Sequence, residues 1–232
     1  MDAQTTELFH AMIKRCLRQE VAPYYDEWEA SGEIPRSLWH ALGAAGLLGI
    51  DLDEQHGGSG ADIAITQLAL EELSRQGFGG LASAYNIHAN IVMPYLQNLG
   101  TAAQREQWLP AMARGEYLGA IAMTEPHAGS DLASMRTRAK RTAEGWELNG
   151  SKIFITNGQF ADLVIVCAKT DPVAGAKGVS LFLVDTHLSG FSRGKPIKRS
   201  VSTPATPPSL PLIGCSYPMM RCWVKRVLGF AT

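Results

Sequence analysis

The hydrophobic period of this chain changes once, near residue 118, and that change limits what it can fold into. Before it, apolar residues return at helical spacing. Leu8, Met12, Ile13 and Cys16 form one such set, and Ala61, Ile65, Leu68, Ala69 and Leu73 form another, with Glu71, Glu72 and Arg75 largely off the stripe. Helices are expected near 38–45, over 81–99 with Pro94 kinking or ending part of it, and over 102–114 between Thr101 as N-cap and Gly115 as C-cap. After residue 118 the pattern is that of strands. Residues 118–123 are short and apolar, 163–168 are continuously apolar, and Val179, Leu181 and Leu183 alternate. Asn149-Gly150 predicts a tight hairpin turn, with 152–156 as the returning strand. The fold class is therefore α+β: an all-α helical domain over 1–117, then an antiparallel β-barrel or sandwich domain over 118–199.

Composition narrows the class of function. Of 232 residues, 46% are hydrophobic and 19% charged, which suits a packed core. A net charge of −1 gives no general attraction to nucleic acid or an acidic membrane. Cys16, Cys167, Cys215 and Cys222 form no CxxC pair and sit beside no histidine cluster. A metal site or disulfide framework is thus disfavoured, and a reducing cytoplasmic compartment is expected. The start, MDAQTTELF, lacks a signal-peptide pattern, and the apolar run 41–50 is too short to span a bilayer. The charge is uneven, however. No Asp or Glu follows Asp185, and residues 200–232 hold five of the twelve prolines with only Arg221, Lys225 and Arg226 as charges.

The common catalytic and nucleotide motifs are missing. There is no GxGxxG after a strand, no phosphate loop, no HExxH and no GxSxG. What stands out is Met123-Thr124-Glu125-Pro126-His127-Ala128-Gly129-Ser130-Asp131, directly after an apolar strand. Its hydroxyls, small residues and proline-fixed turn could present donors to a phosphate or a flat heteroaromatic ligand. The same residues could equally form a strand-end turn whose Ser and Asp satisfy their own backbone.

TEPHAGSD, preceded by GEYLGAIAM, resembles the signature of the acyl-CoA dehydrogenases. HGGSG at 56–60, GTAAQREQWLPAMARGE at 100–116, LNGSKIFITNG at 148–158, ADLVIVCAKTD, GVSLFLVD and GFSRGK follow that family's order and spacing to about residue 198. The later segments look most like long-chain or branched-chain members. The resemblance implies FAD as cofactor, an acyl-CoA substrate, electron-transfer flavoprotein as acceptor and a homotetramer. It also implies a C-terminal four-helix bundle that is absent here, so that oligomerisation of this chain is in doubt. By the same resemblance, Ile121, Met123, Thr124, Gly129 and Ser130 would line the flavin, with the Thr124 hydroxyl at the pyrimidine end and Ser130 between cofactor and thioester. Phe154, Ile155 and Thr156 would flank the ring, with the Thr156 hydroxyl near N5. Phe154 stands where many members have Trp. The family's catalytic glutamate lies in the bundle, so no residue here inherits it. Glu125 is read as orienting the loop, His88 as a core histidine, Trp108 and Trp146 as packing residues, and Cys167 as a small core hydrophobe. Neither a nucleic acid nor a membrane partner is implied. A related acyl-CoA oxidase or flavin monooxygenase, or a fragment without turnover, is the alternative.

Residues 200–232 depart from the family pattern. Shifted by one base, the codons of Met219–Met220 must read Asp, those of Cys222–Trp223 Leu and those of Trp223–Val224 Gly. These fall where the family wants them. The expectation is a frame change between Lys198 and Val201, leaving a disordered out-of-frame tail on a truncated chain. Sequencing the locus tests it.

Overall fold

The computed structural model describes residues 3–143, 145–194, 220–224 and 228–229. They gather into two compact units. One is drawn from residues 3–98 and Ala102–Tyr117, the other from Leu99–Thr101, residues 118–143 and 145–194 and two short C-terminal strands.

The first unit is helical: α1 (Ala3–Glu20), α2 (Tyr25–Ser31), α3 (Arg36–Ala44), α4 (Ile63–Arg75), α5 (Gly79–Tyr85), α6 (Met93–Leu99) and α7 (Ala102–Ala113). The buried stripe of α1 is Ile13, Cys16 and Leu17, whereas Leu8 is exposed because its spacing carries it off that face. Asp62 caps α4 by accepting the Ala64 N–H at 2.9 Å. Ile65, Ala69 and Leu73 are buried as their period predicts, but Glu72 is buried with them. The long apolar stretch does not break at Pro94. Between α5 and α6 it winds through a π-helix, Asn86–Val92, closed by the Met93 N–H on the His88 carbonyl. A proline ring clashes with the carbonyl four residues back, and the wider turn removes that clash. His88 is fully buried, with Nε2 3.2 Å from the Met112 carbonyl and its ring edge-on to Trp39. After α7, Gly115 has φ +72°, and a Cβ there would overlap the Trp39 carbonyl.

The second unit holds β1 (Gly119–Ala122), β2 (Arg138–Thr142), β3 (Gly145–Lys152), β4 (Leu163–Lys169), β5 (Val179–Asp185), β6 (Phe191–Arg193), β7 (Met220–Val224) and β8 (Leu228–Gly229). The sheet order is β6-β7-β3-β2-β4-β5-β8, with β1 also on β4. The sheet is mixed rather than purely antiparallel. β1 runs parallel to β4, Gly119 beside Leu163 and Ala122 beside Val166, because the whole β2–β3 hairpin is inserted between them and supplies the crossover. Asn149-Gly150 is not the turn. β3 runs straight through it, with Asn149 opposite Arg138, and the hairpin closes at 142–145 instead. Gly150 is required for another reason, since a Cβ there would overlap the Thr137 side chain.

β4 is buried on both faces, which explains its unbroken apolar run. Val164, Val166 and Ala168 join a core with Ala120, Ala122, Leu148, Phe182 and Val184. Cys167 faces a second cluster with Ala128 and Met135. Within 200–232, expected to lack order, Met220–Val224 pairs between β3 and β6 and Leu228–Gly229 pairs with β5. The remaining tail, and the frame change expected near 198–201, lie outside the described residues. Among the described residues no helix is long and apolar enough to cross a membrane.

Candidate functional site

Two segments of the β unit meet at one end of the sheet. The signature loop leaves β1 after Ala122, and the second segment leaves β3 after Lys152. Two hydrogen bonds join them, and a third holds the second segment to β1. Lys152 Nζ donates to the Met123 carbonyl at 2.9 Å, the Ile153 N–H to the Thr124 carbonyl at 2.9 Å, and Asn157 Nδ2 to the Gly119 carbonyl at 3.2 Å. The loop turns tightly at Pro126-His127, where Glu125 and Ala128 exchange backbone hydrogen bonds of 2.9 and 3.1 Å. Ala128 and Met135 then seat it on the second core cluster.

Glu125 is the hub beneath this loop, and it is 3% exposed. Its Oε1 accepts the Thr137 N–H at 2.9 Å, the Thr137 hydroxyl and Lys152 Nζ at 2.9 Å. Its Oε2 accepts the Arg136 N–H at 2.6 Å and lies 3.1 Å from His127 Nε2. Burial by itself would raise the carboxyl pKa. The Thr137 hydroxyl, the Arg136 N–H and Lys152 outweigh it and hold the group at about 2. The carboxylate orients the loop and has no free lone pair for proton transfer.

The sequence-predicted site residues separate into two groups. Met123, Gly129, Ser130 and Phe154 are exposed, and Thr124 and Thr156 are half-buried. Among the described residues, the hydroxyls of Thr124, Ser130 and Thr156 make no hydrogen bond. Phe154 holds φ at +60° and leaves more than half of its surface in solvent. A left-handed non-glycine residue costs on the order of 1 kcal/mol, so this placement of an aromatic face is maintained against strain. Ile121 and Ile155 form the second group. They are 8% and 2% exposed, and Ile155 packs into the sheet core with Leu148 and Phe182. The left-handed turn at Phe154 sends that ring outward and its neighbour inward. Only the backbone of these two isoleucines is available to a ligand.

Sequence reasoning also passed over Lys152, Asn157 and Thr137, which supply the joints. One signal was present, a lone lysine where β3 alternation calls for an apolar side chain. The remaining singled-out residues are structural. Trp146 packs edge-on to Phe182 at 5.4 Å under the Arg141 guanidinium, Trp108 tilts against Tyr117, and burial raises the Cys167 thiol to about 11. The site as a whole offers an aromatic face, three hydroxyls and an unobstructed glycine at Gly129. Such a set has the chemistry to meet a flat ring with polar edges.

Comparison with known proteins agrees with this layout. The acyl-CoA dehydrogenase N-terminal domain matches residues 3–116, and the acyl-CoA dehydrogenase middle domain matches residues 120–210. The mitochondrial long-chain specific acyl-CoA dehydrogenase of Rattus norvegicus is 47% identical over 195 residues, which is 83% of this chain and 45% of that protein. The chain therefore spans about half the length of the curated relatives it matches. Among solved structures, the acyl-CoA dehydrogenase from Geobacillus kaustophilus aligns over 99% of this chain and 57% of its own, with 36% identity and a TM-score of 0.87. A glutaryl-CoA dehydrogenase from Mycobacterium smegmatis in complex with FADH2 aligns over 99% of this chain and 54% of its own, with 30% identity and a TM-score of 0.82. From the ordered motifs, the two domain matches and the fold, the chain belongs to the acyl-CoA dehydrogenase family and carries that family's N-terminal and middle domains.

Proposed function

We propose that this chain is the flavin-binding portion of an FAD-dependent acyl-CoA dehydrogenase, with 1–117 as its helical domain and 118–199 as its β-domain. The observation that carries the proposal is that two joined segments leave the Phe154 ring exposed and the hydroxyls of Thr124, Ser130 and Thr156 without a hydrogen bond among the described residues. They fit a ring system that is apolar on its faces and polar at its edges. FAD, when bound, supplies the acceptor for a hydride from the β-carbon of an acyl-CoA thioester.

In this reading each residue of the chain has a binding or orienting task. The Thr124 hydroxyl would hold the pyrimidine edge. The Thr156 hydroxyl would serve as a donor near N5, where a fixed donor supports a ring that accepts a hydride. Phe154 covers the ring, and Met123 and Gly129 line it with the backbone of Ile121 and Ile155. Ser130 stands between ring and thioester. Glu125 is not the base for the α-proton, because it is buried, saturated with donors and held at about 2. That base is assigned to no residue of this chain. Electron-transfer flavoprotein is the acceptor in this reading, and among the described residues the buried free thiols of Cys16 and Cys167 suit a reducing cytoplasmic setting.

A second reading is flavin binding without turnover, favoured by the buried, donor-saturated state of Glu125, the carboxylate of the signature loop. One experiment addresses both. The purified chain is mixed with FAD, filtered and examined by absorbance, then titrated with acyl-CoA thioesters of graded length. Retained, spectrally perturbed flavin supports the proposal, and its complete loss on filtration refutes it. Bleaching by any thioester eliminates the reading without turnover.

A further inference from the structure

Lys152 ends β3 and is 1% exposed. An ammonium is costly to bury unless its protons find partners. Nζ has three: the Met123 carbonyl at 2.9 Å, Glu125 Oε1 at 2.9 Å and Met135 Sδ at 3.9 Å. The ion pair is unequal in what each member needs. Without the lysine, Glu125 keeps both backbone N–H groups of Arg136 and Thr137, the Thr137 hydroxyl and His127. Satisfying the carboxylate therefore does not account for the buried lysine. What Lys152 alone supplies is the hold on the Met123 carbonyl.

The next residue extends that hold, since the Ile153 N–H donates to the Thr124 carbonyl. Consecutive residues of one segment thus grip consecutive carbonyls of the other. Thr124 enters the site at that grip, and the strained turn that carries Phe154 and Thr156 leaves it immediately afterwards.

We propose that Lys152 is a positioning residue of the flavin site. Its ammonium locks the signature loop to the 153–156 segment, so that the Thr124 and Thr156 hydroxyls keep a fixed spacing. The functional consequence rests on the flavin reading, whereas the lock itself rests on the hydrogen bonds alone.

The test uses the whole 232-residue chain with Lys152→Met. Amide hydrogen exchange is read at Ile153 and Thr137, and FAD affinity by flavin fluorescence. Losing a charge-assisted hydrogen bond should speed exchange at Ile153 about tenfold or more, while Thr137 stays protected by Glu125. FAD affinity should fall by about the same factor. Should the single variant fail to fold, Lys152→Met with Glu125→Gln leaves no unpaired buried charge and is read in the same way at Ile153. Unchanged exchange at Ile153 in a folded variant overturns the lock, whatever happens to FAD affinity. If the wild-type chain takes up no FAD, the flavin reading fails, and the exchange result still decides the role of Lys152.

Discussion

Each unit of the chain buries a carboxylate, and the two are held in different ways. Glu72 of α4 is 4% exposed and is met by side chains: Gln76 Nε2 at 2.9 Å, His10 Nε2 at 3.0 Å and Arg75 at 4.0 Å. Burial pushes its carboxyl up, and the hydrogen bonds from Gln76 and His10 bring it below the usual range. Gln76 lies one turn along from Glu72, and His10 reaches in from partly exposed α1. Glu125 is met instead by backbone N–H groups eleven and twelve residues away and by a lysine as deeply buried as itself. A helix satisfies its own backbone, so its buried acid must be served by mobile side chains. A loop laid across strands can recruit main-chain donors, which are fixed once the sheet forms. The candidate site therefore rests on main-chain donors.

The sharpest way to break this contrast is Glu125→Ala, which leaves the Lys152 ammonium buried without its counter-ion. A loss of about 3–5 kcal/mol is expected from chemical denaturation, and a loss under 1 kcal/mol would remove the distinction between the units. Acid provides the next test. The folded carboxyl of Glu125, at about 2, lies below its ordinary 4.5, so its contribution is complete above pH 4.5 and fades as pH falls towards 2. It amounts to about 3 kcal/mol, and in Glu125→Gln this part of the pH dependence of unfolding should vanish. Gly150→Ala probes the same network indirectly, by pushing on the Thr137 side chain that bonds Glu125. A cost of about 1–3 kcal/mol is expected, with faster exchange at the Thr137 amide. The smallest effect belongs to His10→Ala, about 1 kcal/mol in the melting curve, since Gln76 still serves Glu72.

Much of this was legible in the residues, though unevenly. Ile65, Ala69 and Leu73 announced a buried helical face, and 163–168 a strand covered on both sides, because side-chain period follows backbone geometry directly. Glu72 was misplaced to the polar side, since a helix packed over a wide arc buries positions that a narrow stripe leaves out. Asn149-Gly150 looked like a turn, but its glycine serves a close approach to Thr137, a residue that period and propensity cannot place beside it. Within the site, the loop turn and its polar residues followed from local chemistry, whereas the inward course of Ile155 depends on the left-handed backbone at Phe154.

By itself the sequence determined the switch from helices to strands near residue 118, the motif order that places the chain in its family, and which loop carries the unusual polar residues. These are properties of neighbouring residues, and local sterics and hydrophobic period suffice to express them. Only the tertiary structure decided that β1 runs parallel to β4, that Ile121 and Ile155 face inward, and that Lys152 and Glu125 meet 27 residues apart beneath the loop. Each of those depends on which segment packs against which. The energy of a buried charge is set by the partners that packing brings to it, and no stretch of neighbouring residues contains that information.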